Sequence, residues 1–204
     1  TITALLLLFG CNKSEPIPSY IHIEPFTVTA LGGTSWQKVT EGWLYVNGNL
    51  IGGFTLPVDV PVLEEGNFEV QVFPGVKVNG LKDSPGLYPF LKRYTKQVEL
   101  KVGETVSIQP TTSYEANTKF AWPESESTFD GPTSVILENR DGDNLNTFEV
   151  TAAGGMDGKG LIMAVDTAHT IMEVATEEVV LPNTGDRQVW LEMHYNNDIP
   201  FALQ

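Results

Sequence analysis

The dipeptide Asn47-Gly48 stands between two apolar runs, Trp43-Leu44-Tyr45-Val46 and Asn49-Leu50-Ile51-Gly52-Gly53-Phe54. A chain reversed at Asn-Gly adopts a type I′ turn, whose two central residues both need positive φ, and such a turn joins antiparallel strands. The next stretch follows the same logic. Glu64-Glu65-Gly66-Asn67 reads as a turn, and Phe68-Glu69-Val70-Gln71-Val72 then alternates apolar and polar residues, the mark of a strand with one face buried. Nowhere in this half does a ten-residue segment carry a 3.6-residue apolar period, so helices do not form its framework. The expected fold class is all-β.

Other segments extend the pattern. In Tyr20 to Ala30, the apolar Ile21, Ile23, Phe26 and Val28 alternate with polar neighbours on either side of Pro25, and that proline implies an edge strand or a bulge. His22 falls on the polar phase and is expected at the surface. Tyr94 to Val102 and Thr105 to Pro110 read as a pair of strands around Gly103-Glu104, whereas Val76 to Phe90, with Asn79-Gly80 and Pro85-Gly86, reads as loop-rich. Roughly seven strands in about a hundred residues suit a sandwich. The succession Tyr45-Val46-Asn47-Gly48, Ile51-Gly52-Gly53, Leu56-Pro57, an acidic turn and Phe68 to Gly75 resembles the PEGA-type and related small immunoglobulin-like β-sandwich modules of bacterial envelope proteins. That resemblance implies such a module over residues 19–112.

With 204 residues, 19% of them charged and 41% hydrophobic, the chain has a globular composition long enough for one large or two small domains. Its net charge of -14 excludes nucleic acid as a partner, because phosphate binding is driven by Lys and Arg releasing counterions. The charge is unevenly spread. Pro18 to Asn117 holds ten acidic and seven basic residues, whereas Thr118 to Gln204 holds fifteen and four. Two consecutive β-sandwich modules follow, with a boundary in the polar Thr111 to Asn117. Strands are expected at Ser134 to Glu138, Leu161 to Val165 (fully buried), Thr170 to Ala175 and Gln188 to Tyr195. Long loops, a glycine-rich stretch from Gly154 to Gly160 and the late Val189-Trp190-Leu191-Glu192-Met193-His194-Tyr195 strand make residues 118–204 resemble the jelly-roll sandwiches used as carbohydrate-binding modules. That module reads as incomplete, since few residues are left for eight strands.

Asp141, Asp143 and Asn144, with Asn139 nearby, offer hard oxygen ligands of the kind that calcium takes in numbers of about six to eight. The EF-hand pattern is not met, because Leu145 occupies its third acidic position; an Asp-Gly turn between strands is the alternative. Gly154 to Gly160 lacks the Gly-Lys-Ser/Thr and the following helix of a phosphate loop. No serine sits in a Gly-x-Ser-x-Gly elbow. His194, next to Glu192 and Asp198, could form an acid–base pair with a carboxylate, but the many carboxylates do not single out a glycosidase. The expectation is therefore no enzyme. Among the tryptophans, Trp43 and Trp190 lie in apolar strands and are expected in cores. Trp122, beside Pro123 and an acidic loop, is the candidate for sugar stacking, together with His194 and Tyr195.

Ile2 to Phe9 is almost wholly apolar and ends in Leu8-Phe9-Gly10-Cys11, with the only cysteine of the chain. About eight residues cannot span a bilayer, which needs about twenty; a signal-peptide core fits their position before the polar Asn12 to Pro16. The junction resembles the lipobox of bacterial lipoproteins, in which a peptidase cuts before a cysteine bearing diacylglycerol. Phe9 departs from the smaller residue usual there. The resemblance implies an incomplete signal peptide at residues 1–10, lipidation at Cys11, a tether at 11–18 and a membrane attachment through lipid. The location it implies is the bacterial cell envelope, at the outer membrane, facing periplasm or exterior. The function expected is non-catalytic binding of a glycan or an envelope protein; an assembly component of an envelope complex, or an accessory part of a larger hydrolase, is the alternative.

Overall fold

The computed structural model describes residues 15–29, 38–81, 83–121, 129, 135–143, 145, 147–155, 158–181 and 188–203. The chain is all-β. Its first half forms β1 (Ser19–Ile23), β2 (Thr27–Val28), β3 (Glu41–Val46), β4 (Asn49–Thr55), β5 (Val58–Val62), β6 (Gly66–Lys77), β7 (Pro85–Leu87), β8 (Tyr94–Leu100), β9 (Thr105–Ile108) and β10 (Thr111–Thr112). The Asn47-Gly48 hairpin forms as expected, with φ of 46° and 79° at its two central residues. Asn47 also ties the turn to β6: its N–H donates to Glu69 O at 2.8 Å, and its Oδ1 accepts from Glu69 N at 2.9 Å.

Two sheets face each other. One has the order β5-β1-β9, with β1 antiparallel to β5 and parallel to β9. The other runs β4-β3-β6, and β8 and β7 pair successive parts of the far side of β6. Between them lie Ile21 and Ile23, Leu44 and Val46, Val60 and Val62, Val70 and Val72, Val98 and Leu100, and Ile108. Each strand thus sends alternate residues inward, and each fully buried aliphatic side chain stabilises the sandwich by about 1.5–3 kcal/mol.

Pro25 has a different role from that of an edge or bulge. β1 is the centre of its sheet, and the chain breaks at Glu24–Phe26 before continuing as β2, which pairs in parallel with β10. This ribbon belongs to a second cluster formed by Val28, Val39, Tyr88, Leu91 and Tyr114. The polar Thr111 to Asn117 is accordingly tied down: Lys92 N donates to Ser113 O at 2.9 Å, Glu115 N donates to Phe90 O at 2.7 Å, and Tyr114 is 2% exposed.

The second half carries β11 (Leu137–Asn139), β12 (Phe148–Thr151), β13 (Gly160–Met163) and β14 (Val174–Thr176). They form two separate antiparallel ladders, β11 with β14 and β12 with β13. Among the described residues of this half, Val135 is the one buried hydrophobic, while Ile171, Val180 and Leu191 stand in solvent. Three expectations change here. Leu161 to Val165 is half-buried rather than core, with Met163 exposed; the strand expected over Thr170 to Ala175 begins only at Val174; and Gln188 to Tyr195 has no ladder partner among the described residues. That last segment instead lays alternate residues on the first half. Trp190 meets Tyr88 edge to face at 5.3 Å, and Glu192 accepts from the Tyr114 hydroxyl at 2.7 and 2.9 Å.

Candidate functional site

Strand β3 reads Glu-Gly-Trp-Leu-Tyr-Val, and both of its phases are largely apolar. Leu44 and Val46 take the inner phase, which leaves Trp43 and Tyr45 on the outer face of the sheet. Trp43, expected in the core, is therefore half-buried on the outside. Directly across the ladder from it is Phe73 of β6, whose ring lies 5.0 Å from that of Tyr45 at 57°. The guanidinium of Arg93 sits 5.6 Å from the Phe73 ring centre, within cation–π range.

Glycines shape this row. A Cβ on Gly53 would stand 3.1 Å from the indole of Trp43, and one on Gly75 would stand 3.1 Å from its Nε1. With no side chain on either flank, the indole can lie close against the sheet. Its Nε1 is buried and has no partner among the described residues. Glu41 continues the same face; it is 4% exposed, accepts from Thr55 Oγ1 at 2.9 and 3.2 Å, and lies 3.8 Å from Lys77 Nζ. The result is a half-exposed aromatic row, Trp43, Phe73 and Tyr45, on a hydrogen-bonded sheet, with a cation at one side.

The candidates drawn from the sequence are not gathered into one site. Cys11, Trp122 and Asn144 lie outside the described residues. Asp141 and Asp143 belong to a run of side-chain turns: Asp141 N donates to Asn139 Oδ1, Asp143 N to Asp141 Oδ1, and Leu145 N to Asp143 Oδ1, at 3.0, 3.2 and 2.8 Å. These bonds make the Asp-Gly loop a structured turn. Among the described residues Asp141 Oδ2 is shielded without a partner, yet no group of three His, Cys, Asp or Glu there could hold a metal ion. His194 and Tyr195 are exposed, and Tyr195 rests on Phe201 at 5.1 Å.

His22, Asp166 and Glu192 are displaced from their ordinary values. His22 is raised, chiefly by its 2.8 Å hydrogen bond to Asp59. Asp166 is lowered, first by the backbone N–H of His169 and then by that of Ala168. Glu192 is raised by burial: the residue is largely exposed, but its carboxylate end is seated on Tyr114.

Among the described residues no helix is long and apolar enough to cross a membrane. No protein family, curated protein or solved structure matches this chain.

Proposed function

We propose that this chain is a non-catalytic binding protein, carried at the bacterial envelope on a lipid anchor at Cys11, and that it holds glycan on the outer face of its five-stranded sheet. The observation that carries this is the row of Trp43, Phe73 and Tyr45, half-exposed and backed by glycines. Stacking of a pyranose face on such a ring removes apolar area from water at about 25 cal/mol per Å² and needs no charge on the sugar. This moves the proposed ligand surface from the second half, where Trp122, His194 and Tyr195 were expected to supply it, to the first.

A glycan array probed with the chain from Ser14 onward tests the proposal. Binding that is lost in both Trp43→Ala and Tyr45→Ala supports it, and silence across plant, host and microbial sugars refutes it. A second reading, assembly with an envelope protein, is favoured by β4. Among the described residues that strand has a ladder partner on one side only, with Leu50 and Ile51 exposed by 51% and 41%, and an open edge of this kind can accept a partner strand.

A further inference from the structure

Between Asp83 and Glu99 the chain has no acidic residue, yet it holds Lys92, Arg93 and Lys96. In a chain with 26 acidic and 12 basic residues, such cations would be expected to find carboxylates. Among the described residues neither Lys92 nor Arg93 forms an ion pair. Both instead line a groove of about 340 Å³ with Thr29, Thr111, Thr112 and Ser113, at the lower end of the size range of small-ligand sites.

The groove is built from three chain segments held by backbone hydrogen bonds. Thr29 N donates to Thr112 O at 2.8 Å, and Lys92 N donates to Ser113 O at 2.9 Å. The Thr112 hydroxyl is committed to Lys92 O at 2.6 Å. Those of Thr29, Thr111 and Ser113 have no hydrogen-bond partner among the described residues. Arg93 is positioned by Phe73, at 5.6 Å from the ring centre. Stacking occupies the flat face of a guanidinium and leaves its N–H edge for acceptors.

We propose that this groove binds a tetrahedral oxyanion, either phosphate itself or the phosphate monoester of a small sugar. A guanidinium fork, an ammonium and three hydroxyls supply more donors than the two oxygens of a carboxylate can accept. A phosphate group presents three or four acceptor oxygens and matches the fork bidentately. The net charge of the protein repels anions at long range, so the affinity has to come from these short contacts, which salt screens less than an open basic patch. This site is separate from the aromatic row apart from sharing Arg93, and it stands whether or not the row binds sugar.

The test is a titration of inorganic phosphate into the full chain at ionic strength held constant with sodium chloride, read by backbone amide shifts and by calorimetry. Saturable shifts concentrated at Lys92, Arg93, Thr111 and Ser113 are expected, with at least a tenfold loss of affinity in Lys92→Gln and in Arg93→Gln. Both side chains are exposed, so both variants should melt within about 2 °C of the parent without ligand. Glucose 6-phosphate is the second ligand and glucose the control. Tighter binding of the ester than of phosphate identifies a phosphorylated sugar, and equal binding identifies the free anion; either supports the site. Shifts reproduced by chloride, affinity unchanged in both variants, or no binding of either phosphate overturns it.

Discussion

Replacing Gly75 with alanine tests whether the aromatic row depends on the bare backbone beneath it. The new Cβ would lie 2.9 Å from Gly86 O, 3.0 Å from Glu41 Cβ and 3.1 Å from Trp43 Nε1. None of these can easily give way. Gly86 belongs to β7, which is laddered to β6, and Glu41 is 4% exposed and tied to Thr55. Overpacking of a rigid site costs about 1–3 kcal/mol, and replacing glycine returns about 0.4–1 kcal/mol by restricting the unfolded chain. A net loss of about 1–2 kcal/mol is expected, which for a chain of this length lowers the melting temperature by about 2–8 °C. Gly42→Ala is the matched control: the three atoms nearest its Cβ would be side-chain methyls of Val72 and Leu56, at 3.1–3.2 Å, and methyls shift more easily than backbone. Urea denaturation followed by far-ultraviolet circular dichroism measures both variants, and the glycan array then asks whether Gly75→Ala also weakens binding. A Gly75→Ala protein within about 0.5 kcal/mol of the parent, or a Gly42→Ala protein at least as destabilised, would refute the packing argument.

Three further outcomes are expected. His22 is raised above the ordinary imidazole value, so its bond from β1 to Asp59 of β5 contributes fully below about pH 6.5 and is lost as the pH rises through the folded value. Melting curves across that range should show the loss in the parent and a flatter profile in His22→Gln. Glu192 has the same sign, since its folded value is also raised. With its carboxyl raised by burial, the folded state disfavours the charged form, so a penalty present above the folded value is relieved as the pH falls toward the ordinary carboxylate range. Glu192→Gln should remove that pH dependence and melt no lower than the parent at neutral pH; a marked drop at neutral pH would mean that the charged carboxylate stabilises the fold. Finally, Cys11→Ala should move the protein from the membrane fraction to the soluble fraction, and persistence in the membrane pellet would refute the lipid anchor.

What could be read from the sequence follows how local each cause is. Asn47-Gly48 specified its hairpin because both positive φ values are demanded by two adjacent residues. Ile21 and Ile23 alternate against polar neighbours, so their inward face was legible as well. Trp43 was not. In Trp43-Leu44-Tyr45-Val46 both phases are apolar, and period-two reasoning marks two faces without saying which is inside. The choice is made by strands far along the chain: Leu44 and Val46 complete a cluster with Val70 and Val98, whereas Trp43 finds Gly53 and Gly75 beneath its ring. A glycine paired with the tryptophan on one neighbouring strand, Gly53, and another set diagonally from it on the other, Gly75, were the available clue. Gln188 to Tyr195 failed for the complementary reason. Its alternation is real, since Trp190 and Glu192 point the same way, but the surface they meet is Tyr88 and Tyr114 rather than a neighbouring strand. Alternation reports that one face of a segment is covered, not what covers it. The Lys92–Arg93 groove lies beyond such reading altogether, because Thr29 and Ser113 are brought to it only by the parallel pairing of β2 with β10.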